Sequence, residues 1–359
     1  MSNFLHTLYA YGLPFAFIIG LLVLVHEFGH FLLAKLVGIR VERFSIGFPP
    51  RLFGKKIGDT DYCISAVPLG GYVKMSGMID ESLDTGTLKG EPYEFMSKPV
   101  WARFLVISAG PIFNILLAFF LYTLIIGTTG IEVPAEPLYP IVGNVSPHSP
   151  ADSIGLKPGD RILSIDGRPV EKWEDLTAII HKAPNRTLDI EWERDGKPFF
   201  AHVTPKYDPT LDVGLIGIMP QTVRKPLGPF ESVRMGALMT VDKTTMILKS
   251  FAALFTGKVK AKEALGGPLR IAELSGQVAK RGFIDLLAFA AILSINLALL
   301  NLLPVPALDG GHLLLLTVEA FIRRPISNKI KIAVQQIGMA LLLALMIFVL
   351  FNDFLNLTR

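Results

Sequence analysis

The sequence predicts a polytopic α-helical membrane protein with about four transmembrane helices and an inserted β-rich domain. Three observations carry that expectation. The 359 residues are 51% hydrophobic and only 18% charged, with a mean hydropathy of +0.47, whereas a soluble domain carries about 25% charged residues. Four apolar runs approach the roughly 20 residues that a helix needs to cross a bilayer. Between the second and third runs, short segments alternate apolar and polar positions as half-buried strands do.

The first run extends from about Leu13 to Val37 and is apolar except for His26, Glu27, His30 and Lys35. Residues 1 to 12 hold no Lys or Arg, so this run is expected to be a span and not a cleaved leader. The following stretch, about 38–100, carries Arg40, Arg43, Arg51, Lys55 and Lys56. The second run covers about Phe104 to Gly127 and completes a first segment, 1–127. Residues 139 to 206 (IVGNV, RILSID, TLDIEW, FFAHVTP) form short strands with one amphipathic helix near Trp173 to His181, inside an extracytoplasmic domain at 128–220. Residues 221–283 are expected to lie amphipathically on the membrane surface or against the bundle. The last segment, 284–359, holds the third run, Ile284 to Leu303, and the fourth, Ile332 to Phe351; the shorter Leu313 to Ile322 predicts a partial helix. Basic residues after the first run and between the last two place those loops in the cytoplasm and both termini outside.

A net charge of +4 is too small to suggest nucleic acid as a partner. Cys63 is the only cysteine, which excludes an internal disulfide and a four-cysteine metal site. Any metal must rest on His, Asp or Glu.

His26-Glu27-Phe28-Gly29-His30 has the form H-E-x-x-H. On a helix its two imidazoles share one face and can hold one Zn2+, with Glu27 placed to take a proton from water. Ionisable groups inside a span cost about 2.5–3.5 kcal/mol each at mid-bilayer, so three in one turn imply a compensating partner. Counting 1.5 Å per residue from Leu13 puts the cluster about 20 Å along the span, in the cytoplasmic half. A third ligand is needed. Asp309, in NLLPVPALDGGH, is preferred because a carboxylate cancels zinc charge, with His312 as the rival. Pro304 and Pro306 break the third run just before it, and Gly310 and Gly311 are expected to keep the turn flexible.

HEFGH in the first span and LDG after the third, with GYVKM, SAGPIFN and the module between, resemble the site-2 protease family of intramembrane zinc metalloproteases (peptidase M50), in the branch of the bacterial regulator of sigma-E protease. The resemblance spans nearly the whole chain. It implies a zinc endopeptidase of the bacterial inner membrane, with His26, His30 and Asp309 as zinc ligands and Glu27 as the catalytic acid/base. Its substrates would be single-pass membrane proteins, such as an anti-sigma factor already cut by another protease, or signal-peptide remnants. It further implies that about 38–100 includes a membrane-associated β-loop on the cytoplasmic side, whose Gly71, Tyr72 and Val73 present the substrate as a strand, and that Asn296 or Asn301 holds the substrate backbone. PGDRILSIDG reads as PDZ-like, a single module where this branch often has two, for a peptide or the outer domain of the substrate. Leu215-Ile216-Gly217-Ile218 is its candidate carboxylate loop. Phe48-Pro49-Pro50 departs from the family, which usually places glycine after the Gly-Phe pair.

Overall fold

The structure, a computed structural model, describes residues 8–78, 90–135, 138–209, 211–257 and 267–357. Its helices in chain order are α1 (Leu13–Leu36), α2 (Val100–Thr129), α3 (Pro150–Ser153), α4 (Trp173–His181), α5 (Pro229–Phe255), α6 (Pro268–Ala279), α7 (Phe283–Asn301), α8 (Asp309–Ile322) and α9 (Asn328–Leu357). The chain forms two compact units, one from residues 1–126 with 229–359 and one from 127–228.

Four helices of the first unit are long and apolar enough to cross a membrane: Tyr9–Leu36, Val100–Thr129, Phe283–Asn301 and Asn328–Asp353. Each extends the corresponding apolar run to a helical boundary, except that α7 stops at Asn301. Their apolar residues surround each helix, as in spans immersed in lipid and bundle. Inside, Ile18 and Leu22 of α1 pack with Ala118, Leu121 and Tyr122 of α2 and Ala290, Ala291 and Ile295 of α7. The alanines let these backbones approach closely where burial in lipid gives no hydrophobic drive. Helix α5 lies against the bundle: a Cβ on Gly236 would fall 2.9 Å from the Thr123 Cα. Asp353 accepts the N–H groups of Gly267, Leu269 and Arg270 at 3.1, 3.1 and 3.3 Å, so α9 caps the first turn of α6.

Strands β1 (Val41–Ile57) and β2 (Thr60–Met75) form one antiparallel sheet. Both bend back on themselves, so Phe44 pairs with Tyr62 on one side and Val73 on the other, and Ile46 pairs with both Ile64 and Gly71. The bend of β1 holds Gly47, at φ +91°, and the cis Pro49–Pro50 bond. The resulting ribbon order is 71–75, 41–46, 61–64, 51–57. Gly71–Met75 is therefore an edge, with one side unpaired among the described residues.

In the second unit the strands are β3 (Ile131–Pro134), β4 (Val142–Val145), β5 (Arg161–Ile165), β6 (Arg168–Pro169), β7 (Leu188–Arg194), β8 (Lys197–Val203), β9 (Lys206–Asp208), β10 (Val213–Leu215), β11 (Ile218–Pro220) and β12 (Thr222–Lys225). A four-stranded sheet, ordered β6-β5-β7-β8, closes with α4 over Ile162, Ile165, Leu176, Leu188 and Trp192. The unit continues past residue 220 because β12 pairs with β3, Val223 opposite Val133. Ile216 is buried in this core, and its carbonyl and that of Gly217 accept the N–H groups of Ala151 and Ser146.

Candidate metal centre

The HEFGH face of α1 points at α2. A Cβ on Gly29 would lie 2.6 Å from the Ala109 carbonyl oxygen, and one on Gly110 would lie 2.6 Å from His26 Cε1. The two helices therefore cross where SAGPIFN offers its glycine, and both imidazoles are pressed against α2. His30 Nδ1 donates to the Val106 carbonyl at 2.9 Å. An acceptor there leaves His30 Nε2 bare in the neutral ring, the form a metal takes. Asn114, wholly buried, contacts His26 Nδ1 through Nδ2 at 3.2 Å.

Asp309 arrives from the other side. After α7 ends, residues 302–308 run as irregular backbone, which membrane depth tolerates only inside protein or along a cavity. Asp309 is the first residue of α8 and the N-cap is Leu308, so the carboxylate does not cap its own helix. Gly310 and Gly311, expected from sequence to keep the turn flexible, instead serve close packing here. They sit in α8, and a Cβ on either would fall 2.5 Å from the carbonyl oxygens of Leu302 and Val305 respectively; small size lets the loop close down on the helix.

His26, His30 and Asp309 form the one metal-capable group of three or more His, Cys, Asp or Glu among the described residues. The His26 and His30 Nε2 atoms are 3.2 Å apart, and Asp309 Oδ2 lies 3.1 Å from the first and 3.5 Å from the second. Tetrahedral zinc with ligand bonds of about 2.05 Å separates its ligands by roughly 3.3 Å, which these three distances bracket. Oδ2 is buried and takes no aligned hydrogen bond among the described residues, as befits an oxygen aimed at a cation. The donor set, two neutral imidazoles and one carboxylate, fits zinc.

Other expected residues fall around this triangle. Glu27 is half-buried on α1 beside His26. Asn301 Nδ2 is 3.3 Å from His26 Nε2, while Asn296 lies further up α7 with its Oδ1 buried and unpartnered among the described residues. His312 stands outside the triangle and lines a small cavity with Arg103, Glu319 and Lys331. Gly71, Tyr72 and Val73 lie on the sheet edge, and a Cβ on neighbouring Gly70 would lie 3.5 Å from Val23 of α1, one turn before His26. Asn114 and Gly110 escaped the sequence reading; the signal was an amide and a Gly-Pro pair inside an otherwise apolar span.

A buried ion cluster anchors α8 nearby. Glu319 forms ion pairs with Arg103 at 2.9 Å and Lys331 at 2.7 Å and accepts the Ile326 N–H at 3.0 Å, joining α2, α8 and α9.

Three buried groups able to hold a metal converge between helices long and apolar enough to cross a membrane, the arrangement of a metal-binding membrane protein. The profile described as peptidase family M50 matches residues 14–345, and the chain belongs to that family: it is a zinc metallopeptidase on a multi-pass helical frame. A Rhizobium meliloti (strain 1021) protein provisionally named a zinc metalloprotease is 38% identical over 364 residues, covering 96% of this chain and 96% of its own. The regulator of sigma-W protease RasP of Bacillus subtilis (strain 168) is 33% identical over 415 residues, covering 95% of this chain and 97% of its own.

Proposed function

We propose that the chain cuts single-pass membrane proteins within the bilayer, with zinc held by His26, His30 and Asp309 and with Glu27 as the catalytic acid/base. The observation that carries this reading is the triangle of buried ligand atoms 3.1 to 3.5 Å apart on helices of membrane-spanning length. Its substrates are membrane segments whose outer domain is already gone, such as a trimmed anti-sigma factor or signal-peptide remnants. The name of the relative RasP, a regulator of sigma-W protease, supports a regulatory substrate.

Zinc, when bound, polarises the scissile carbonyl and makes water a nucleophile near neutral pH. Glu27 accepts the proton from the attacking water and delivers it to the leaving amine. A helical substrate hides its carbonyls in its own hydrogen bonds and must unwind first. The free edge at Gly71, Tyr72 and Val73 pairs with the unwound segment as an added strand, and its position beside Val23 brings that strand to the HEFGH turn. Asn301, and Asn296 behind it, bind the substrate backbone.

The 35–56 stretch faces the cytoplasm of a bacterial cell, both termini face outward, and the centre lies in the cytoplasmic half of the inner membrane. The PDZ-like module, with its 158–167 turn-and-strand motif, engages a peptide or the outer domain of the substrate and excludes bulky ones. Glu27→Gln, purified in micelles with added zinc, is expected to lose at least about 100-fold in cleavage of a membrane-spanning reporter while still binding zinc. Undiminished cleavage overturns the assignment.

A further inference from the structure

The two imidazoles are oriented by different kinds of partner on α2. His30 Nδ1 faces a backbone carbonyl at 2.9 Å, which can only accept and therefore holds one tautomer. His26 Nδ1 faces the Asn114 amide, Nδ2 nearest at 3.2 Å. An amide nitrogen donates, so in this pose His26 Nδ1 is the acceptor, while Nε2 has Asp309 Oδ2 at 3.1 Å and the Asn301 amide nitrogen at 3.3 Å. Zinc requires the opposite: Nε2 bare and the proton on Nδ1. Two donors would then face each other in a fully buried place, losing a hydrogen bond and leaving a buried group unsatisfied.

Asn114 has the means to avoid this. Its Oδ1 is buried without a hydrogen-bond partner among the described residues, so a half-turn of the amide breaks only the His26 bond and replaces it with Nδ1–H donating to Oδ1. The two ends of an amide have the same shape, so the turn needs no repacking. The main chain at Asn114 stays in place because its carbonyl accepts the Ser294 hydroxyl at 2.8 Å, tying α2 to α7.

We propose that Asn114 is the positioning residue for His26, an amide that turns its Oδ1 to the ring when zinc occupies Nε2; this rests on His26 being a zinc ligand. Partners of this kind typically contribute 10- to 100-fold in metal affinity. The test is the zinc dissociation constant of the full chain in micelles, read by chelator competition. Asn114→Ala and Asn114→Leu remove the acceptor and are expected to weaken zinc about 10- to 100-fold. Asn114→Asp keeps an acceptor at the same place and is expected to bind zinc at least as tightly as the unaltered chain. Wild-type affinity in Asn114→Ala, or a loss in Asn114→Asp equal to that in Asn114→Ala, overturns the proposal. His26→Ala is expected to lose zinc altogether; zinc that stays bound there at full stoichiometry overturns the ligand assignment itself.

Discussion

Gly110→Ala is the most direct probe of how the helix crossing makes the metal centre. The new methyl would lie 2.6 Å from His26 Cε1 and 2.7 Å from His30 Cε1, with His30 Nε2 nearer still. Carbon atoms rest at about 3.5–4.0 Å, so both rings must retreat by roughly 1 Å. Functional constellations tolerate about 0.5 Å, so the ligand triangle cannot survive intact. Overpacking of this kind costs about 1–3 kcal/mol, which at 1.4 kcal/mol per decade predicts a zinc affinity weakened about 5- to 150-fold. Cleavage of the reporter should fall with it and recover in part at high zinc. Gly20→Ala is the control, since its Cβ meets nothing within 4 Å; it should bind zinc normally and stabilise the helix by about 0.5–1 kcal/mol. Gly110→Ala with zinc affinity within twofold of the unaltered chain would refute the packing argument.

Three further outcomes follow from other parts of the molecule. Glu319→Ala strands two buried cations, Arg103 and Lys331, and should destabilise by about 3–5 kcal/mol, read as a drop of roughly 6–10 °C in apparent Tm in micelles; replacing all three by apolar residues of similar volume should be close to neutral, and equal losses in both variants would contradict the ion-pair account. Gly71→Val places a Cβ 2.5 Å from the Ser45 carbonyl, so it should distort the sheet edge and lower reporter cleavage while zinc affinity stays unchanged; a parallel loss of zinc would refute a purely substrate-side role. On the hairpin, Arg51 bonds Asp61 through Nε and Nη2, both at 3.1 Å, and holds its carboxyl below the usual carboxylate range. A lowered folded-state value stabilises the fold above the unfolded-state pKa of about 3.9 and loses that effect as pH falls through the folded-state value. Protection of the hairpin amides against hydrogen exchange, relative to their intrinsic rates, should therefore fall below about pH 4, and Arg51→Ala should flatten that acid limb; an unchanged limb counts against the pair.

Much of the fold was legible because lipid imposes a simple rule. Runs long enough to span must be helical, so the four spans could be read from apolar length alone, with boundaries off by a few residues where caps and loops decide. The alternating segments at 139–206 announced strands for a similar reason, since one face is buried and the other wet. The extent of that unit was not legible, because β12 is four residues long and pairs with β3 across most of the module. The edge position of Gly71–Met75 was equally hidden: it follows from β1 and β2 each folding back, a matter of register that alternation does not encode. Glu319 gave no sequence signal of its own, since its partners come from helices that begin at residues 100 and 328.

For the metal centre, sequence by itself determined the chemistry. Two histidines four apart with a glutamate between them, in a segment that should exclude charge, point to a metal and a base through local helical geometry. Only the tertiary structure decided which distant groups complete it. Asp309, and not His312 three residues away, lies at the two Nε2 atoms because α8 begins at Asp309, while His312 lines the cavity beside Glu319. Asn114 and Gly110 joined the site because α2 crosses α1 at contact distance, and contacts between helices some 80 residues apart are set by packing, which no local pattern records.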